Sequence, residues 1–367
     1  MPSIDQLSAH LDRLAAADTG PFPVVSLYLN MQPDEHGRDH FEAFLRKELA
    51  DRIRTYPADG PERDSLTRDE ERIRQYVKTV DSSANGLAIF ACAAADLFEA
   101  VPLLAPVAEH RLYISNQPHL YPLALLADEY PRYAVLLADT HLARLFVVAA
   151  NRVQESSTVE GTKTHRHKAG GWSQARFQRH VDNDRSQHAK EVVEALGRLV
   201  RDENLQSIII AGDEVIVPLI KSELPKQLAD RVVDVVKLDI RAPEHRVLEA
   251  SAELMRQKDA ETDRERVDAL FDAYRGGGLG VVGPEATAQA LEMGQVEELL
   301  IAGTPDLLNV PGAQPDNEPA AEPSARERTA DELVTKARQT AARITIVQDA
   351  SLLASVGGVG ALLRFKL

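Results

Sequence analysis

The chain has 367 residues, 44% of them apolar, which is enough for two or three domains that each bury a core. Its formal net charge of −15 excludes a protein that coats nucleic acid with its whole surface, because such binding depends on Lys and Arg contacts to phosphate. A single cysteine, Cys92, excludes an internal disulfide framework, and no run approaches the roughly 20 apolar residues of a membrane span.

The start of the chain gives an expectation about location. Residues 1–18 alternate polar and apolar side chains and carry three acids, unlike a secretory signal peptide. We therefore expect a cytoplasmic protein without a membrane partner.

The N-terminal region, predicted as a domain over 1–122, opens with a short amphipathic helix. Helical spacing over 40–56 and over 67–80 predicts a helical hairpin, with Thr67 as N-cap and Glu70 three residues later. Apolar runs predict strands at 24–29, 86–91 and 112–114. Cys92 follows an apolar strand, so we expect a buried structural thiol rather than a nucleophile.

The central region, predicted over 123–274, begins with two apolar runs, 133–139 and 143–148, around a tight turn at Thr140 and His141. A long helix is predicted from Ser173 to Asp202, with strands at 207–212 and 232–238 and a helix over 243–274. Strands that alternate with long helices indicate an α/β layer fold.

A basic, glycine-containing stretch precedes the long helix, and we call residues 164–180 the Gly-Gly segment. From 162 to 190 there are seven Lys or Arg against two acids, in an otherwise acidic chain. Gly170 and Gly171 allow a close backbone approach to a ligand, and Ser173 and Gln174 lie at the expected helix start, where unpaired amides favour an anionic or electron-rich partner. The alternative is a glycine turn with solvated charges that caps a helix.

The C-terminal region, predicted over 275–367, contains glycines at 278, 280 and 283 that match the dinucleotide-binding fingerprint formally. That fingerprint must follow a strand, whereas here it follows a helix, so nucleotide binding is not expected. Residues 304–326 are rich in Pro, Ala and Glu and are predicted to be a disordered insert.

No conventional catalytic pattern stands out. His165, His167, His180 and His188 lack a Cys partner or a His-Glu-x-x-His motif, and their basic neighbourhood repels cations, so we expect neither a metal nor a cofactor. Trp172 could pack on its own helix or stack on an unpaired base.

Several stretches resemble one family. The two glycines followed by a polar helix with Arg176 and Phe177 resemble the central-domain tip of the archaeal and eukaryotic class-1 peptide-chain release factors, whose loop ends in Gly-Gly-Gln. Trp172 occupies the place of that glutamine, and the Gly171-x-x-Gln174 spacing resembles the Vms/ANKZF-type peptidyl-tRNA hydrolases. Residues 280–301 and 344–365, with a Gly-Gly-x-Gly turn, resemble the release-factor C-domain. The chain is thus identified as a bacterial-style member of the release factor and Pelota superfamily.

This resemblance implies a three-domain α/β fold: an N-domain with a helical hairpin, a central domain with a projecting loop, and an α/β/α C-domain. It implies a ribosome rescue factor that frees nascent chains at the peptidyl transferase centre, either by ester hydrolysis of peptidyl-tRNA or by cleavage near the tRNA 3′ end. The stop-codon-reading tetrapeptide is missing, so the activity is expected to be independent of a stop codon. The resemblance assigns catalysis to Gly170, Gly171, Ser173 and Gln174, and RNA contacts to Arg166, Lys168, Trp172, Arg176 and Arg179.

Expected partners are the large ribosomal subunit, ribosomal RNA and peptidyl-tRNA, with a translational GTPase as a candidate loading partner and a monomeric protein. A second hypothesis is a non-catalytic hibernation factor that resembles Balon and Pelota and occupies the decoding site of idle ribosomes. A third is a free tRNA-binding module that does not meet the ribosome.

Overall fold

The computed structural model describes residues 4–33, 41–80, 84–150, 152–160, 174–310 and 323–366, with side chains described except at 4–6 and 174–182. The chain forms two compact units. The first unit combines Met1–Glu129 with Ala260–Leu367, and the central unit is Tyr130–Asp259. The predicted division into three domains at 122 and 274 stays a prediction.

The N-terminal part of the first unit is built on a four-stranded antiparallel sheet of order β3-β2-β1-β4. In chain order its elements are α1 (Ile4–Ala15), β1 (Val24–Asn30), α2 (Phe41–Phe44), a π-helical segment (Leu45–Leu49), α3 (Ala50–Arg54), α4 (Pro61–Val77), β2 (Gly86–Cys92), a 3-10 turn (Ala93–Ala95), β3 (Leu97–Leu103), β4 (Arg111–Ser115) and α5 (Tyr121–Glu129). The predicted succession of strand, helical hairpin and strand is confirmed, and Cys92 is fully buried at the end of β2.

The predicted start of the second hairpin helix was wrong. α4 begins six residues before Thr67, at Pro61, with Gly60 as N-cap and with Glu62 and Asp64 in its first turn. Proline at the first helical position lacks only an amide that would be unpaired there, and acids favour the positive helix end, so this start is the stronger one. Thr67 lies inside the helix, where its hydroxyl donates to the Arg63 carbonyl oxygen at 2.8 Å.

The C-terminal part of the first unit has a second sheet, of order β10-β13-β11-β12, in which β11 and β12 are parallel. Its elements are β10 (Gly280–Val282), α10 (Pro284–Glu292), β11 (Val296–Ala302), a 3-10 turn (Pro305–Leu307), α11 (Ala325–Gln339), β12 (Arg343–Val347), a 3-10 helix (Ala350–Val356) and β13 (Val359–Leu363).

The glycine turn before β13 is formed as predicted. Gly357 and Gly358 have φ of +76° and +78°, and a Cβ at 358 would lie 2.7 Å from the Leu307 carbonyl oxygen. These two positions therefore require glycine. In the predicted disordered insert, a 3-10 turn occupies 305–307 and α11 begins at Ala325, while 311–322 lie outside the described residues.

The two sheets of the first unit share one core. Leu11 and Leu14 of α1 and Leu333 and Val334 of α11 belong to the same buried cluster. Hydrogen bonds also join the N-terminal and C-terminal parts. The Tyr121 hydroxyl donates to the Ala302 carbonyl oxygen at 2.6 Å, and the Gln339 amide donates to the Ala15 carbonyl oxygen at 2.7 Å. The N-terminal and C-terminal segments thus stabilise each other.

The central unit has a five-stranded mixed sheet of order β7-β6-β5-β8-β9. Its elements are β5 (Tyr133–Ala138), β6 (Leu142–Ala149), β7 (Arg152–Glu160), α6 (Gln174–Asp202), β8 (Ser207–Gly212), α7 (Ile216–Glu223), α8 (Lys226–Ala229), β9 (Val232–Lys237) and the first part of α9 (Glu244–Arg275). α6 and α7 bury one face of the sheet, and α9 buries the other through Val247 and Met255. The α/β fold class is therefore confirmed, with three sheets in all among the described residues.

The structure adds elements that the sequence did not predict. β7 is an edge strand with seven of its nine residues exposed. No helix in the part of the chain that the structure describes combines the length and apolar character needed to cross a membrane.

Candidate active site and its supporting helix

Most of the Gly-Gly segment falls outside the described residues. Residues 161–173 are not described, and they include the predicted Arg166, Lys168, Gly170, Gly171, Trp172 and Ser173. Gln174, Arg176 and Arg179 lie on the first turns of α6, where the backbone alone is described. The roles assigned to all nine residues stay predictions, but the predicted long helix is confirmed over Gln174–Asp202.

The structure fixes both points at which the undescribed stretch joins the central unit. β7 ends at Glu160, which pairs with Leu142 at the start of β6. β5 and β8 end at the same edge of the sheet, since Ala138 pairs with Gly212. The chain thus leaves the sheet at the end where the turn between β5 and β6 lies. The next described residue is Gln174, at the start of α6.

Among the described side chains of α6, the fully buried ones lie in the second half of the helix. Its buried side chains begin at His188 and continue through Ala189, Val192 and Leu196, and none of residues 183–187 is buried. We call residues 174–187, the 14 residues that precede His188 on the same helix, the stalk. At about 1.5 Å per residue the stalk carries Gln174 roughly 21 Å beyond His188.

The end of the stalk is electrostatically suited to an anionic ligand. α6 has no acid in its first turn, so the positive end of the helix dipole is not neutralised there. The sequence places Arg176 and Arg179 within the first two turns. Anions and electron-rich groups are favoured at such a helix start because its amides have no partners within the helix.

The base of the stalk is fixed by the turn between β5 and β6. The Asp139 carboxylate accepts hydrogen bonds from the amides of His141 at 2.8 Å and Leu142 at 2.7 Å. This pattern is an Asx turn, which holds a tight connection between two strands. The predicted turn at Thr140 and His141 is confirmed.

His188 lies where α6 meets this turn, a position that no local sequence pattern predicts. It is 2% exposed, and neither ring nitrogen has a hydrogen-bond partner among the described residues. Burial lowers the pKa of His188, and the charges of Glu191 and Asp139 offset part of that effect. A neutral imidazole therefore packs at the base of the stalk. Among the described residues no group of three or more His, Cys, Asp or Glu could hold a metal ion, and the predicted histidines 165, 167 and 180 have no described side chains.

Two regions of the chain match known protein families. Residues 118–256 match the family described as "Bacterial archaeo-eukaryotic release factor family 10". Residues 261–367 match the family described as "eRF1 domain 3". The two matches together cover the central unit and the C-terminal part of the first unit.

Curated relatives point the same way. The chain is 26% identical over 248 residues to peptide chain release factor subunit 1 of Methanopyrus kandleri, covering 63% of this chain and 59% of the relative. It is 24% identical over 256 residues to the protein of the same name from Aeropyrum pernix, covering 64% and 61%. This chain thus spans about three fifths of the length of these relatives.

Among solved structures, the crystal structure of the archaeal translation termination factor aRF1 is 18% identical, with 99% of each chain covered and a TM-score of 0.29. The matched families, the curated relatives and the residue patterns agree that residues 118–256 and 261–367 are similar to archaeal and eukaryotic release factors.

Proposed function

We propose that this protein is a release-factor-like ribosome rescue factor that hydrolyses peptidyl-tRNA at the large ribosomal subunit without reading a stop codon. The observation that carries the proposal is the length of α6, which begins at Gln174, about 21 Å along the helix axis before His188, the first buried residue among its described side chains. A catalytic loop that works inside the ribosome must be carried well away from its own domain. The matches of residues 118–256 and 261–367 to release-factor families support this role.

The proposed chemistry needs no conventional nucleophile. In the resembled release factors, a backbone amide and a glutamine orient water against the ester of peptidyl-tRNA, and ribosomal RNA and the terminal ribose supply much of the rest. Here Gln174 would orient the water, and Gly170 and Gly171 would let the backbone approach the ester. In physical terms this is positioning together with stabilisation of a developing oxyanion. The one cysteine of the chain is fully buried and cannot serve as nucleophile.

A second candidate is a non-catalytic ribosome-binding hibernation factor. The observation that favours it is Trp172, which stands where release factors have their catalytic glutamine. An indole is well suited to stacking on an unpaired base but not to orienting water. Both candidates use the same projecting segment, so binding alone does not separate them.

The deciding experiment is single-turnover release of nascent chains from stalled large-subunit complexes that carry peptidyl-tRNA. We expect Gly171→Ala and Gln174→Ala each to reduce the rate by about 10² to 10³, since each removes a group positioned for the reaction. The matched control is Gln178→Ala, which removes the same side chain one helical turn later and should react within about twofold of wild type. Ribosome binding should be unchanged in all three variants.

The products and the substrates distinguish the alternatives. Intact free tRNA indicates ester hydrolysis, whereas tRNA shortened at its 3′ end indicates phosphodiester cleavage. Equal release with stop, sense or empty codons supports stop-codon independence. If wild type binds ribosomes tightly but gives no product on any ribosomal state, the hibernation role replaces hydrolysis. If it binds only free tRNA, the ribosomal role is wrong.

A further inference from the structure

The second half of α6 forms one wall of a groove that is separate from the stalk. The groove lies within the central unit, between α6 on one side and α8 with the start of β9 on the other, and its volume is about 490 Å³. Pockets of this size are typical of sites that hold one compact ligand group, such as a single nucleotide.

The floor of the groove is apolar and depends on a glycine. Val193 and Val200 are buried, and Leu228 faces them from α8. A Cβ at Gly197 would meet one atom within 4 Å, the Leu228 Cδ1 at 3.4 Å, which is an ordinary contact distance. The groove is therefore open at this point because position 197 has no side chain.

The rim of the groove is positively charged in an acidic protein. Arg198 and Arg201 are exposed and lie three residues apart on α6, a spacing that puts them on the same helix face, and Arg231 lines the opposite wall. Glu194 is the one acid among the lining residues. Among the described residues neither Arg198 nor Arg201 has an ion-pair partner, whereas the Arg231 guanidinium is fixed by donating to the Leu205 carbonyl oxygen at 2.6 Å.

We propose that this groove binds one phosphate-bearing nucleotide of an RNA strand. The planar guanidinium groups of Arg198, Arg201 and Arg231 match the geometry of a phosphate, and the apolar floor fits a ribose or a base. An acidic peptide is the less suitable ligand, because an extended chain needs a longer groove and partners for its backbone amides.

The groove and the stalk lie on the same helix, α6, so the distance between them follows from helix geometry. Arg198 follows Gln174 by 24 residues on one continuous helix, which corresponds to about 36 Å along the axis. An RNA that reaches the Gly-Gly segment and also this groove must therefore span about that distance. The inference rests on the proposed function in one respect, the assignment of RNA as the ligand, and it adds a second RNA contact remote from catalysis.

The test measures equilibrium binding of the full chain to a fluorescently labelled, uncharged tRNA transcript at several salt concentrations. We expect the double variant Arg198→Ala, Arg201→Ala to bind at least about tenfold more weakly, since each charge-assisted contact to phosphate is worth that order. Its salt dependence should also be shallower, because fewer counterions are released on binding.

A size variant tests the groove without changing its charge. Gly197→Met fills the groove from the α6 side and should weaken binding about tenfold, whereas the control Gly197→Ala adds a single methyl group and should bind within about twofold of wild type. Both substitutions favour the helix over glycine, so the fold should be retained, as an unchanged far-UV circular dichroism spectrum would verify. Lys221→Ala, an exposed cation on α7 outside the groove, controls for general charge loss.

Every outcome decides the inference. It is overturned if wild type binds no RNA, or if either the double variant or Gly197→Met binds tRNA as tightly as wild type does. It is also overturned if poly-glutamate of matched charge displaces tRNA as well as unlabelled tRNA does, since that result points to an acidic protein partner. Tighter binding of free adenosine monophosphate than of tRNA would replace RNA by a free nucleotide.

The test separates this inference from the proposed function. Loss of RNA binding in the groove variants supports the groove even if wild type releases no nascent chain. Conversely, release activity that persists while all groove variants bind tRNA normally would refute the groove alone.

Discussion

Asp69 is a buried carboxylate that lowers the free energy of unfolding at neutral pH, and this effect can be measured. It lies on α4 with no exposed surface, and burial raises its pKa from 3.8 to about 6, an effect that the Ala93 backbone amide and Arg68 only partly offset. Because the folded-state pKa lies above the unfolded value, the folded state keeps its proton as pH rises through 4 to 6 while the unfolded state loses it. Stability therefore falls across this window, and the full cost is present above about pH 6.

We expect Asp69→Asn to be more stable than wild type at pH 7.5 by about 1–2 kcal/mol, a value reduced from the full pKa shift to allow for unmet hydrogen bonds of the amide. The gain should shrink as pH falls from 6 to 4. Urea unfolding at several pH values measures it, with Glu71→Gln, an exposed acid on the same helix, as control. A variant that is less stable than wild type at every pH would contradict the expected cost.

At the scale of elements, the length of the stalk of α6 sets the distance between Gln174 and the sheet, and this distance can be shortened by deletion. Deleting residues 181–187 removes seven residues, about two turns, so the helix start should move about 10 Å closer to the sheet with only about 20° of rotation. The deletion ends before His188 and the residues buried on the sheet. We expect normal folding and loss of nascent-chain release of at least about 10²-fold, because the reacting groups no longer reach the ester.

A control of equal length makes this test specific. Replacing residues 181–187 by seven helix-forming residues of mixed Ala, Glu and Lys keeps the distance and should keep most of the activity. If the shortened stalk works as well as the full one, the projection of Gln174 does not matter for function.

The same helix shows what the sequence could predict. The apolar stripe through Val192, Leu196 and Val200 predicts a helix that ends at Asp202, and the structure confirms both. The distance of roughly 21 Å along α6 from Gln174 to the buried His188 was not predictable, because it depends on where α6 lies against the sheet, which no local pattern encodes.

Elements with weak patterns were missed for physical reasons. β7 has seven exposed residues of nine, so it shows neither an apolar run nor a regular alternation. α11 follows a stretch rich in Pro, Ala and Glu, whose composition hides the helix. Its capping box between Ser324 and Glu327 was present in the sequence and could have revealed it.

At the scale of the whole molecule, the Gly-Gly segment is a basic region in an acidic chain, and its contribution to RNA binding can be measured. Ribosome or tRNA binding should weaken with rising salt and should depend on four cations of the Gly-Gly segment: Arg166, Lys168, Arg176 and Arg179. The quadruple alanine variant should bind more weakly, with a salt slope shallower by about 3. The control replaces four exposed cations elsewhere in the central unit: Lys221, Lys226, Arg241 and Arg246. If the quadruple variant binds as tightly as wild type at every salt concentration, this segment has no role in binding.

The two-part first unit leads to a prediction about fragments. Residues 130–259 form a compact unit with their own cores, so this fragment should fold alone. Residues 1–129 expose the apolar faces of α1 and α5 without α11, so they should remain loosely packed until 260–367 is added. Co-purification and cooperative thermal unfolding of the mixed fragments test this, and cooperative unfolding of 1–129 alone would contradict it.

The buried pair of His119 and Asp331 joins the two segments of the first unit, and its partners are 212 residues apart in the chain. The Asp331 carboxylate also accepts the Tyr121 amide at 2.9 Å, so both its oxygens are occupied from the N-terminal segment. At a synthesis rate of about 5–20 residues per second, His119 is added to the chain about 10–40 s before Asp331. Until the C-terminal segment is complete, the apolar faces of α1 and α5 lack their partner α11, and exposed apolar surface of this kind favours aggregation.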